Sequence, residues 1–91
     1  MQLVKVTPST RKHKKLAAQF SDGTVTHFGD SRYSDYTKNK DESRRKNYRK
    51  RHFSGAKAPP KTANSLSYHL LWGESTSLQK NIETYRKKFS L

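Results

Sequence analysis

Leu16-Ala17-Ala18-Gln19-Phe20-Ser21-Asp22-Gly23-Thr24-Val25-Thr26-His27-Phe28 is the stretch on which the fold turns. Asp-Gly between two strand-like runs signals a β-hairpin, because Gly accepts the positive φ that a tight turn needs. The β-branched run Thr24–Thr26 suits a pleated strand. Leu16 and Ala17 would also suit a helix, so the first arm rests more on the turn than on its own propensity. Upstream, Leu3-Val4-Lys5-Val6 alternates weakly and stops at Thr7-Pro8-Ser9, as a short strand does. Thr10–Lys15 (TRKHKK) is a polar, basic connector between these runs. Three short strands in an antiparallel meander are expected. Phe28-Gly29-Asp30 closes the last of them, since Gly29 can take φ > 0.

Beyond a tyrosine-rich turn (Tyr33-Ser34-Asp35-Tyr36) the composition changes. Thr37–His52 reads TKNKDESRRKNYRKRH, with eight Lys/Arg against two acids and Tyr48 as its one large aromatic. A helix is expected to start near Asn39, because Asn39 and Glu42 stand at capping-box spacing. Asp41 and Glu42 then fall in the first turn and Arg49, Lys50 and Arg51 in the last, as the helix dipole favours. Asp41, Arg45, Tyr48 and His52 share one stripe at helical spacing, with Tyr48 as the anchor to the core. His52 ends the helix and packs near Tyr48.

Phe53–Lys61, with Gly55 and Pro59-Pro60, reads as a linker. Asn64 or Ser65 can cap a short helix over Leu66–Trp72, with Gly73 as its stop. Ser75-Thr76-Ser77 caps a third helix, and Thr76 with Gln79 has the capping-box spacing. Leu78, Ile82, Tyr85 and Phe89 form an amphipathic stripe. The expected core is the Leu66–Trp72 cluster and this stripe, packed on the hairpin. The fold class that results is α+β: a small antiparallel N-terminal sheet packed with two or three C-terminal helices. A single domain over 1–91 divides into a β-rich part (1–36), the basic helix (37–52), a linker (53–63) and a helical part (64–91).

Composition narrows the function. Ninety-one residues with 30% apolar content and a net charge of +13 support one small core and repel themselves. A partner that neutralises the charge would stabilise the fold. The first candidate is nucleic acid and the second an acidic protein surface. There is no cysteine, so no disulfide frame or zinc knuckle is available. No apolar run approaches the roughly 18 residues of a membrane span. The N-terminal Met-Gln-Leu-Val-Lys-Val has no signal-peptide core, and an intracellular, soluble or assembly-bound protein is expected.

The binding candidates are Lys38, Lys40, Arg44, Arg45, Lys46, Arg49, Lys50 and Arg51, joined by Lys12, Lys14 and Lys15 of the first connector. Eight cations within Lys38–Arg51 exceed what solubility needs, which favours a binding surface over a merely solvated helix face. Tyr33 and Tyr36 can stack on bases, although a Tyr-x-x-Tyr turn more often packs against the core. Trp72 can be a partner contact but reads better as core. The histidines lack metal-ligand spacing, and Asp35 and Asp41 suit a turn and a helix start better than a cation. No cofactor, metal or catalytic residue is expected.

Phe28-Gly29, Tyr33-Ser34-Asp35-Tyr36-Thr37, Lys40-Asp41, Tyr48, Arg51-His52, Thr62-Ala63, Leu70-Leu71-Trp72 and Lys88-Phe89 occur in that order. The pattern resembles a family of small basic proteins, of uncharacterised biochemistry, encoded by large double-stranded DNA viruses of algae and protists. The likeness spans roughly residues 4–89, and Asn39 departs from it by standing where that family carries His. The resemblance implies a viral setting: the virion, or the host cytoplasm or nucleus during assembly. It favours a minor capsid component that neutralises acidic capsid or genome surface. The alternative is a nucleic-acid-binding protein that coats or condenses DNA.

Overall fold

The computed structural model describes residues 1–91. Three strands, β1 (Leu3–Pro8), β2 (Lys14–Phe20) and β3 (Val25–Asp30), form an antiparallel sheet in the order β1-β2-β3. The hairpin register pairs Leu16 with Phe28 and Gln19 with Val25, and Gly23 sits in the turn at φ 91°. Asp22 Oδ1 accepts from the Thr24 amide (2.9 Å), which closes the turn locally. The run with helical propensity, Leu16-Ala17, is therefore a strand: pairing on both sides outweighs a preference worth only tenths of a kcal/mol. Gly29 takes φ 79°, and a Cβ there would lie 2.7 Å from Leu71 Cδ1. Both conformation and space demand glycine at that point, where the sheet meets the helical layer.

Five helical segments follow: α1 (Tyr36–Asn39), α2 (Glu42–Arg51), α3 (Ser54–Lys57), α4 (Ala63–Leu66) and α5 (Leu78–Phe89). A π turn over Ser67–Leu71 extends α4. The architecture is α+β, as the sequence predicts. Helix starts fall elsewhere than expected. Asn39 ends α1 instead of capping the basic helix, Lys40 breaks the chain with φ 53°, and Asp41 caps α2 by accepting from the Arg44 amide (3.1 Å). Asn39 Oδ1 takes the Asp41 amide instead (2.8 Å). The 37–52 basic helix is thus two helices meeting at a bend. Thr62, rather than Asn64 or Ser65, caps α4, and within the expected Ser75-Thr76-Ser77 run it is Ser77 that caps α5. In each case a hydroxyl or carboxylate one to three residues away satisfies the free amides equally well, so spacing alone does not choose.

The 53–63 linker is more structured than its Pro and Gly content implies. It holds α3, and Thr26 Oγ1 donates to the Lys61 carbonyl (2.6 Å) while Lys61 pairs with Asp22. The core gathers Ala18, Phe20 and Phe28 of the sheet with Leu66, Leu70, Leu71 and Trp72, closed by Ile82 and Tyr85 of α5. Inside it, Ser65 Oγ and Tyr85 Oη share a 2.7 Å hydrogen bond. Asn81 is also buried and fully used: its amide donates to the Leu70 and Ser75 carbonyls (2.9 and 2.8 Å), and its oxygen accepts from the Ser75 amide. Arg86 clamps the end of α5 to β1 through the Leu3 carbonyl (2.9 Å). The accessible surface, 5705 Å², is near the ~5500 Å² expected for a folded chain of 10.6 kDa, so the low apolar content does not prevent ordinary compaction.

Candidate functional site

Only α2 lacks any buried residue among the two long helices, so something other than an apolar face must dock it. Tyr48 lies parallel to Trp72 (centroids 4.4 Å apart, 9° between planes), and His52 stacks on the other side of Tyr48 at 4.3 Å. Tyr48 is the anchor the sequence predicts, and burial raises its hydroxyl pKa. Two arginines complete the attachment. Arg45 Nε donates to the Gly73 carbonyl (2.7 Å), and Arg49 Nη1 to the Trp72 carbonyl (3.1 Å). These are the carbonyls left free where the π turn ends. The Arg49 guanidinium also lies 4.4 Å from the centre of the Tyr68 ring.

With α2 fixed in this way, a cleft of about 1010 Å³ opens beside it. Its lining comes from His13, Lys14 and Lys15 at the start of β2, from Gly29 and Asp30 at the end of β3 and residues 32–35 beyond it, and from Arg44, Asn47, Tyr48, Lys50, Arg51 and His52 of the basic helix and its cap. Ala63, Asn64, Ser67, Leu71 and Trp72 supply the remainder. Six cations line it (Lys14, Lys15, Arg32, Arg44, Lys50, Arg51) against two acids (Asp30, Asp35), a net of +4 before the histidines are counted.

Both acids are already engaged. Asp35 is 1% exposed, pairs with Lys15 and accepts from the Thr37 amide (2.9 Å) as the cap of α1. Asp30 accepts a bidentate pair from Arg32 (3.0 and 2.9 Å) and the Arg32 amide, and these bonds hold its carboxyl down to about 2. Lys14, Arg44, Lys50 and Arg51 are exposed and have no acidic partner. They are the cations left to meet a ligand.

The eleven cations proposed from sequence therefore divide by position. The cleft brings together Lys14, Arg44, Lys50 and Arg51. Lys12, Lys38, Lys40 and Lys46 are exposed but lie outside it. Lys15, Arg45 and Arg49 are corrections: an ion pair to a buried carboxylate and two bonds to main-chain carbonyls commit them to the fold. Tyr36 takes the packing role that the sequence favours over stacking: it is buried and donates its hydroxyl to Glu42 Oε1 (3.0 Å), a bond that raises its pKa. Trp72 is core, at 7% exposure. Tyr33 alone of the aromatic candidates is open, at 65%.

Sequence reading missed Arg32, Asn47 and the cleft-lining role of His13 and His52. Arg32 sits in an acidic stretch, where it reads as a local partner of Asp30. No three His, Asp or Glu side chains converge as metal ligands would.

Residues 4–52 match the model of a family of unknown function, DUF5754, so the matched region runs from β1 through the end of α2 and supplies every charged residue of the cleft lining. No curated protein and no solved structure matches the chain.

Proposed function

We propose that this chain, which belongs to the DUF5754 family of unknown function, binds the phosphate backbone of nucleic acid along the cleft beside α2. The observation that supports this reading is the charge balance of the cleft: each of its acids is internally paired, and four exposed cations are not. Phosphates that neutralise them release condensed counterions, which gives binding its free energy and its salt dependence.

The test is titration of a fluorescent oligonucleotide over a range of salt. Four phosphate contacts correspond to a slope of about −3 to −4 in log K against log [salt]. Lys50→Gln with Arg51→Gln should lower that slope by roughly 1.5, since each charge contributes about one counterion. Absent or salt-independent binding rejects the reading. The minor-capsid role that the sequence resemblance implies would set the same cations against carboxylates. Competition by polyglutamate as effective as that by polynucleotide would favour that role over this one.

A further inference from the structure

We infer that the cleft takes an unpaired strand rather than a duplex, with a base stacked on Tyr33 while Lys14, Arg44, Lys50 and Arg51 hold its phosphates; this rests on the nucleic-acid reading above. The Tyr33 ring is 65% exposed on the lining of the cleft, and its hydroxyl makes no hydrogen bond within the chain. It is not loosely held. The Tyr33 amide donates to the Asp30 carbonyl (3.1 Å), the Ser31 amide to the His13 carbonyl (3.1 Å), and the Asp30–Arg32 pair braces the residue before it. The bland role for a Tyr-x-x-Tyr turn, packing against the core, is filled by Tyr36. Tyr33 is left as a large aromatic presented to solvent by a braced backbone.

Such a ring is of little use to a duplex, whose base faces are covered by their neighbours. Every unpaired base offers a π-face, which is why single-strand binders combine a cationic groove with exposed aromatics. His52 provides a second platform in the same cleft. It is exposed and ends the stack built on Tyr48 and Trp72, so its outer face is already supported from below.

Binding of oligothymidylate, the matching duplex and inorganic polyphosphate is compared for the wild-type chain, Tyr33→Ala and Tyr33→Phe. The expected result is tighter binding of oligothymidylate than of duplex. Tyr33→Ala should weaken oligothymidylate by roughly 5- to 150-fold, the range for loss of one base–aromatic stack. Tyr33→Phe should keep that affinity, and polyphosphate, which has no bases, should not distinguish the three proteins. Equal binding of oligothymidylate and polyphosphate, with neither sensitive to Tyr33→Ala, overturns the inference and leaves the cationic cleft standing. Failure of all three ligands to bind removes the cleft reading and this one with it.

Discussion

α2 and α5 are both basic, yet different forces hold them to the molecule. α2 carries six Lys/Arg in ten residues and buries none of its side chains. α5 carries four in twelve and buries Asn81, Ile82 and Tyr85. α5 is thus docked chiefly by apolar area, which is non-directional and not screened by salt, with the Arg86 clamp fixing only its end. α2 is docked by one aromatic stack and two arginine–carbonyl bonds, which are directional and partly exposed. The lesson is that a helix without an apolar face can still take a fixed position when a neighbouring helix end offers unsatisfied carbonyls. Such a helix keeps its remaining charges free for a partner. It is also the element that a bound polyanion would stabilise most.

The largest expected effect comes from breaking the apolar side of this comparison. Tyr85→Ala removes a 1%-exposed ring and orphans the Ser65 hydroxyl, so about 4 kcal/mol should be lost in urea denaturation. Tyr48→Ala removes a half-buried ring on the polar side, and about 2 kcal/mol is expected. The two should also differ in kind. Hydrogen exchange should quicken across the whole core in the Tyr85 variant, but chiefly within Glu42–Arg51 in the Tyr48 variant, as local opening allows. Uniform quickening in both would mean that α2 folds as one unit with the core.

A finer cut separates arginines that dock from lysines that coat. Arg45→Gln should cost roughly 1–2 kcal/mol, because the Gly73 carbonyl loses a charge-assisted bond in a half-buried position. Lys46→Gln, one residue on and exposed, should stay within about 0.5 kcal/mol. Equal changes in melting temperature for the pair would show that the Arg45 bond contributes nothing.

The smallest effect is expected from His69, whose ring packs against Tyr85 and Phe89 of α5. Burial holds its pKa below the usual histidine value, with help from Lys88 and Arg49. The unfolded chain therefore binds the proton first as pH falls. Stability should decline as pH drops below about 6.5, the unfolded histidine value, and level off once the folded-state pKa is passed. Urea midpoints measured from neutral to mildly acidic pH should show this slope in the wild type and a shallower one in His69→Gln. An unchanged slope would assign the acid sensitivity to other groups.

Much of the fold is legible in local sequence. Asp22-Gly23 with the β-branched run after it determines the hairpin, and Leu78, Ile82, Tyr85 and Phe89 determine α5, because backbone conformation and helical periodicity are short-range properties. Tyr48 as an anchor is legible for the same reason, being the one large apolar group available to its helix. The bend at Lys40, the structure within 53–63 and the choice of caps at Asp41, Thr62 and Ser77 are not, since several nearby residues can satisfy the same free amides. The candidate site is half legible. The sequence alone supplies the excess of positive charge and names most of its carriers, for charge is a property of residue type. Only the tertiary structure decides which cations are free. Arg45 and Arg49 meet main-chain carbonyls just past the π turn, and Lys15 meets a carboxylate twenty residues away. Lys14, Arg44, Lys50 and Arg51 meet none. A guanidinium or ammonium suits a carbonyl, a carboxylate or a phosphate equally well, so its role is set by what the fold places in front of it.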